Sequence, residues 1–224
     1  MLTALLFSST ILTTSLLVNP EALHQFALSI WPAQIVLIAI AGLTLRYLFV
    51  GDDGRWPAWI LALFFCLSGI SMFWLHEAHS TSVIALFGLL FVLQGLLWLL
   101  SASQTDIIPA NSHIFSRIGM AGCMLSVFGP LFIAPFLDHA WWMVGIAGLA
   151  PTPTSLLGLS ALFLLEGRLR WRLSPIPFAW IIYHGYVCFE ANSMTWFILP
   201  LVAISLMLLM FFEYLNYWRI PESD

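Results

Sequence analysis

From Trp31 onward the chain is a succession of apolar stretches of bilayer-spanning length, parted by short polar connectors. The stretches run Trp31–Val50, Pro57–Leu75, Ser82–Leu100, Ile114–Leu137, Trp141–Leu165, Pro175–Glu190 and Thr195–Leu215. Each is close to the ~20 residues that a hydrocarbon core of ~30 Å demands. Lipid offers the backbone no hydrogen-bond partner, so a segment of this kind satisfies itself as a helix. Hydrophobic residues make up 61% of the chain and charged residues 8%, against about 25% charged in a soluble domain. The expected fold is all-α: one polytopic membrane domain over residues 1–224, with a seven-span body at 30–215. Residues 2–18 are apolar but shorter and threaded with Ser and Thr. No basic residue precedes Arg46 and no A-x-A-type cleavage site follows, so they read as an eighth span or an interfacial helix rather than a secretory signal.

The basic residues are seven arginines. Arg46 and Arg55 flank one connector, Arg117 opens a span, Arg168, Arg170 and Arg172 share a loop, and Arg219 lies in the tail. Seven alternating spans put all of them on one face, which the positive-inside rule assigns to the cytoplasm. The C-terminus is then cytoplasmic, and the location expected is a bacterial-type plasma membrane. Tryptophans near the span ends, among them Trp31, Trp56, Trp98 and Trp141, read as an aromatic belt, and Trp180 alone sits further in. A net charge of −4 without a basic patch excludes a nucleic-acid footprint. Cys66, Cys123 and Cys188 all lie in apolar segments with no C-x-x-C pair, and read as small core residues.

The fifth stretch carries the chain's most unusual local sequence, Gly148-Leu149-Ala150-Pro151-Thr152-Pro153-Thr154-Ser155. Each proline lacks an N–H, clashes with the preceding turn and pushes its predecessor toward extended backbone. The spacing predicts a stop near Ala150 and a restart with Thr152 as N-cap and Pro153 at the first helical position. A half-helix start inside a membrane must be lined by protein or by a watery cavity, and in transporters such breaks form binding sites. The alternative is a kink satisfied by a neighbouring helix.

On the face opposite the arginines the sequence sets His24, His76, Glu77, His79, Asp138, His139 and Glu190. Imidazole and carboxylate ligate zinc or copper, which makes His76, Glu77, His79 and His139 metal candidates, although His-x-x-His in a short loop is more often an ordinary polar turn. Within the spans His184 is the clear ionisable residue, a ligand or proton acceptor facing the interior or a neutral histidine bonded to a neighbouring helix. Gln34 and Gln94 read as interhelical hydrogen-bonders. Gly88, Gly95, Gly119, Gly122, Ser126 and Gly129 give two spans the small-residue sides that let helices approach closely. Soluble-enzyme motifs are absent.

Three strings resemble a family of small bacterial multi-pass membrane proteins known only as a domain of unknown function. They are Ile30-Trp31-Pro32-Ala33-Gln34-Ile35-Val36-Leu37, Phe87-Gly88-Leu89-Leu90-Phe91-Val92-Leu93-Gln94-Gly95-Leu96-Leu97, and the run from Asp138-His139 to Gly148-Leu149-Ala150-Pro151-Thr152-Pro153-Thr154. The resemblance covers roughly Phe26 to Met210. It implies a membrane topology and no biochemical activity. Where that family has Cys-Pro-Thr, this chain has Thr152-Pro153-Thr154, which removes a thiolate and with it a reason to expect metal at the break.

The sequence therefore points to a non-enzymatic membrane protein. Its leading function is binding or transport of a small polar solute or ion, with Pro151, Thr152, Pro153, Thr154, Ser155 and His184 as the site and the half-helix amides of Thr154 and Ser155 facing the ligand. The rival is an accessory or structural subunit of a larger membrane complex, and a third reading is a redox protein binding metal or haem through the outer histidines. The expected partner is the lipid bilayer, with membrane-complex chains or a second copy open, and no cofactor is specified.

Overall fold

The computed structural model describes residues 20–50, 55–79, 82–102, 114–133, 146–165, 169–190 and 198–217. The protein is all-helical, with no strand element among these residues. Its helices are α1 (Pro20–Val50), α2 (Arg55–His79), α3 (Ser82–Ser101), α4 (Ile114–Ile133), α5 (Pro151–Ala161), α6 (Leu169–Leu173), α7 (Pro175–Glu190) and α8 (Ile198–Tyr217). A 3-10 turn at Leu162–Leu164 extends α5.

Among the described residues two helices, rather than the seven expected, are long and apolar enough to cross a membrane: Arg55–Phe73 and Val83–Ser101. The apolar parts of the others among the described residues are shorter, at Ala33–Phe49, Ile114–Gly129, Pro151–Leu164 and Leu201–Phe212. Two expected connectors prove helical. Residues 21–29 belong to α1, and His76–His79 complete α2, because neither stretch contains the Gly or Pro needed to stop a helix. Residues 2–18 lie outside the described residues, as do Asp138, His139 and the first part of the fifth apolar stretch.

α2 and α3 pack closest, through glycines. A Cβ on Gly69 would sit 2.6 Å from the Gly88 carbonyl oxygen, and one on Gly95 would strike Cys66 Sγ and lie 2.7 Å from the Ala62 carbonyl. These contacts fix an antiparallel pair with the backbones near touching, as expected of the small residues. Gly119 and Gly122 do the same for α4 against α5. A Cβ on Gly119 would lie 2.8 Å from the Ser160 carbonyl, and one on Gly122 would strike Ser160 Oγ. Cys123 Sγ, 3.9 Å from the Leu157 carbonyl, continues that antiparallel register. α1 lies against α2 and α4, and α8 against α7 and α5.

Antiparallel packing brings the start of α2, the end of α3, the start of α4, the end of α5 and the start of α7 to one end of the bundle. Arg46, Arg55, Arg117 and Arg172 gather there, all exposed. The arginine-rich loop departs from expectation. Residues 169–173 form the short helix α6, and Arg170 is buried, its Nη2 donating to the Leu165 carbonyl at 2.7 Å. A cation there complements the negative end of the α5 segment.

The interior is aromatic, with Phe64, Phe65, Phe91, Trp98 and Phe163 all fully enclosed. Trp98 is thus not a belt residue. It shares with Ile84, Gly88, Phe91 and Gly95 the seven-residue inner stripe of α3, and the stripe carries it inward. The outer stripe of the same helix is Leu86, Leu89, Leu93, Leu96 and Leu100, each at least 45% exposed. A helix apolar on every face is suited to a core or to lipid.

Candidate functional site

The break lies where expected, but its construction differs. Ala150, not Thr152, is the N-cap, with extended backbone (φ −93°, ψ 132°), and Pro151 rather than Pro153 opens α5. Extended geometry is what the residue before a proline prefers. Proline at the first helical position costs nothing, since that N–H has no helical acceptor. Pro153, still in the first turn, is tolerated for the same reason. Two prolines one residue apart therefore fit a single helix start.

Before the N-cap, Ile146–Ala150 turns tightly. The Leu149 and Ala150 amides both donate to the Ile146 carbonyl, at 3.2 and 2.9 Å. Gly148 takes φ +94°, where an L side chain is strained, and the Phe64 ring lies 3.1 Å from where a Cβ would stand. The turn is held from inside by Thr154, which is fully buried. Its Oγ1 accepts from the Gly148 amide at 2.8 Å and donates to the Ala150 carbonyl at 2.6 Å. One hydroxyl thus ties the turn to the helix it precedes.

Neighbouring helices complete the closure. Ser71 Oγ of α2 lies 2.7 Å from the Leu149 carbonyl and 2.8 Å from the Ser68 carbonyl, so its single proton serves one of them at a time. Trp180 of α7 donates its indole N–H to Thr152 Oγ1 at 3.1 Å. The same indole stacks on the His184 imidazole, with centroids 6.1 Å apart and planes at 28°. Phe87 and Phe91 close over it edge-on.

The structure therefore brings Thr152, Trp180 and His184 together, and encloses Thr154 and Ser155 completely. The expected amide cradle is not there. Thr154 N–H is spent on the Ala150 carbonyl at 3.2 Å, Ser155 N–H belongs to the regular helical ladder, and Pro151 and Pro153 have none. Only the Thr152 amide remains to the first turn. A helix start stripped of its N–H groups is a poor anion site.

Sequence reasoning missed Ser71 and Trp180. Ser71 carried no signal, while Trp180 was the one tryptophan placed well inside a span. Gln94 bonds between helices as expected, its Nε2 donating to the Leu173 carbonyl at 2.7 Å. Cys66 and Cys123 pack as small residues against backbone carbonyls. Among the described residues no three His, Cys, Asp or Glu side chains gather at metal-binding range. His139 and the side chains of His76, Glu77 and His79 lie outside the described residues. No family model matches the chain, and neither a curated protein nor a solved structure matches it.

Proposed function

We propose that the protein is a multi-pass integral membrane protein and a non-catalytic accessory or structural unit, the proline break serving as a packed joint. Membrane residence is supported by the outward faces of the long helices. Trp56, Trp59, Leu63, Ile70 and Phe73 on α2, and the leucine stripe of α3, expose apolar surface where water would penalise it. The seven-span topology with cytoplasmic arginines draws support from the antiparallel register, which brings Arg46, Arg55, Arg117 and Arg172 toward one end.

The accessory role rests on one observation: at the break the Gly148 amide is bonded by Thr154, the Ala150 carbonyl by Thr154, the Leu149 carbonyl by Ser71 and the Ile146 carbonyl by the turn itself. A transport site needs such groups open to a solute. Transport or binding of a polar solute remains the second reading, favoured by the buried, unpartnered Nε2 of His184.

Sidedness is tested by single cysteines in a background lacking Cys66, Cys123 and Cys188. Treated on intact cells with an impermeant maleimide, His79→Cys is labelled and Arg172→Cys only after permeabilisation. Labelling of both from the same side would overturn the topology. The accessory role requires a stoichiometric partner chain on purification in mild detergent. Solute flux in proteoliposomes of the protein alone would instead establish the second reading.

A further inference from the structure

Three side chains bury a polar atom that has no hydrogen-bond partner at the start of α5: Ser68 Oγ, Ser155 Oγ and His184 Nε2. Ser68 and Ser155 are 0% exposed and His184 5%. Their placement follows from the register of three helices. Ser71 meets Leu149, and Phe65 meets Gly158, so α5 runs antiparallel to α2 with Ser68 opposite the turn that carries Ser155. Trp180 meets Thr152, and Pro177 meets Gly158, so α7 also runs antiparallel to α5. His184, one turn beyond Trp180 and stacked on it, then falls beside the first residues of α5. Ser155, three residues after Thr152, shares the side of α5 that α7 covers.

Native proteins leave few buried polar atoms unpaired, and a group of them signals a bound molecule that bridges them. We propose that Ser68, Ser155 and His184 hold a water-sized, neutral hydrogen-bonding molecule between α2, α5 and α7. The hydroxyls can donate and accept, and the imidazole nitrogen supplies a third contact, which meets the two to four partners that an interior water needs. A charged ligand does not suit the place. The one buried arginine or acidic side chain among the described residues is Arg170, which bonds at the other end of α5. The proline-stripped helix start offers an anion almost no amides, and an uncompensated ion among Phe65, Phe87 and Phe91 would be costly. The inference depends only on the packing of these three helices and stands apart from the question of membrane residence.

The test is a double-mutant cycle on apparent melting temperature in detergent, with Ser155→Ala, His184→Leu and the pair. If one molecule bridges both groups, each single change lowers the melting temperature and the pair lowers it by less than their sum. If the groups are truly unpaired, Ser155→Ala removes a penalty and leaves the melting temperature unchanged or raised. That result, or additive effects, overturns the proposal. Should His184→Leu fail to fold, Ser68→Ala takes its place in the cycle. An experimental map that resolves ordered waters gives the direct readout. A density peak within hydrogen-bond reach of Ser155 Oγ and His184 Nε2 is expected, and its absence overturns the site.

Discussion

Thr154→Val should destabilise the folded protein by about 1–3 kcal/mol, a large effect for a change that keeps the shape of the side chain. The hydroxyl it removes accepts the Gly148 amide and donates to the Ala150 carbonyl in fully buried surroundings. Valine leaves that amide without a partner, and stranding a buried donor costs far more than one hydrogen bond contributes on balance. The consequence extends to the neighbours, because the Gly148 turn sets the Leu149 carbonyl against Ser71 and the helix start against Trp180. Thr154→Ser keeps the hydroxyl and should lose about 1 kcal/mol at most, the value of one methyl group. Unfolding in detergent, monitored by circular dichroism, measures both. A loss in Thr154→Val no greater than that in Thr154→Ser would show that the hydroxyl does not hold the break.

The second large effect is expected at the α2–α3 contact. Gly95→Val should cost about 3 kcal/mol or more, the upper range for overpacking a tight interface. Its Cβ would strike Cys66 Sγ and lie 2.7 Å from the Ala62 carbonyl oxygen. A side chain can rotate away, whereas a carbonyl within a helix cannot move without shifting the helix. Cys66→Ala in the same chain should therefore restore only part of the lost stability. Full rescue by Cys66→Ala would mean that the backbones are further apart than this packing requires.

The all-helical character was legible in the sequence because long apolar runs leave a backbone few options, whereas only two of the seven expected spans reach bilayer length among the described residues. Helix, antiparallel alternation and the bounds of Pro175–Glu190 all follow from run length and prolines. The nearness of Arg46, Arg55, Arg117 and Arg172 at one end of the bundle was also readable, since antiparallel succession of helices converts sequence spacing into position. Helix ends were less so: the stretch before Trp31 and the run to His79 read as connectors because their polar residues resemble a loop, yet nothing in them breaks a helix. The break was located correctly and its cap misassigned. Thr152 has the chemistry of an N-cap, but the conformational demand of Pro151 on Ala150 decided the start instead.

The candidate site was legible in part. Thr152 and His184 do meet, through an indole that the sequence marked only as a tryptophan out of place. The roles of Thr154 and Ser71 could not be read at all, because both depend on a turn whose hydrogen bonds exist only once Gly148 adopts its positive φ. An amide cradle was expected because half-helix starts usually offer one. Two prolines within its first three residues remove it, a consequence that sequence alone contains.

The central claim is that the proline break is a sealed joint and not an opening to solution. It is tested most directly by the reactivity of Ser155→Cys, a near-isosteric change at a fully buried position, in membranes and without the native cysteines. A small hydrophilic thiol reagent should leave position 155 unmodified in the folded protein while it modifies Arg172→Cys readily. Modification of Ser155→Cys at a rate close to that of position 172 would mean that the break is open to bulk solution, and would contradict the account.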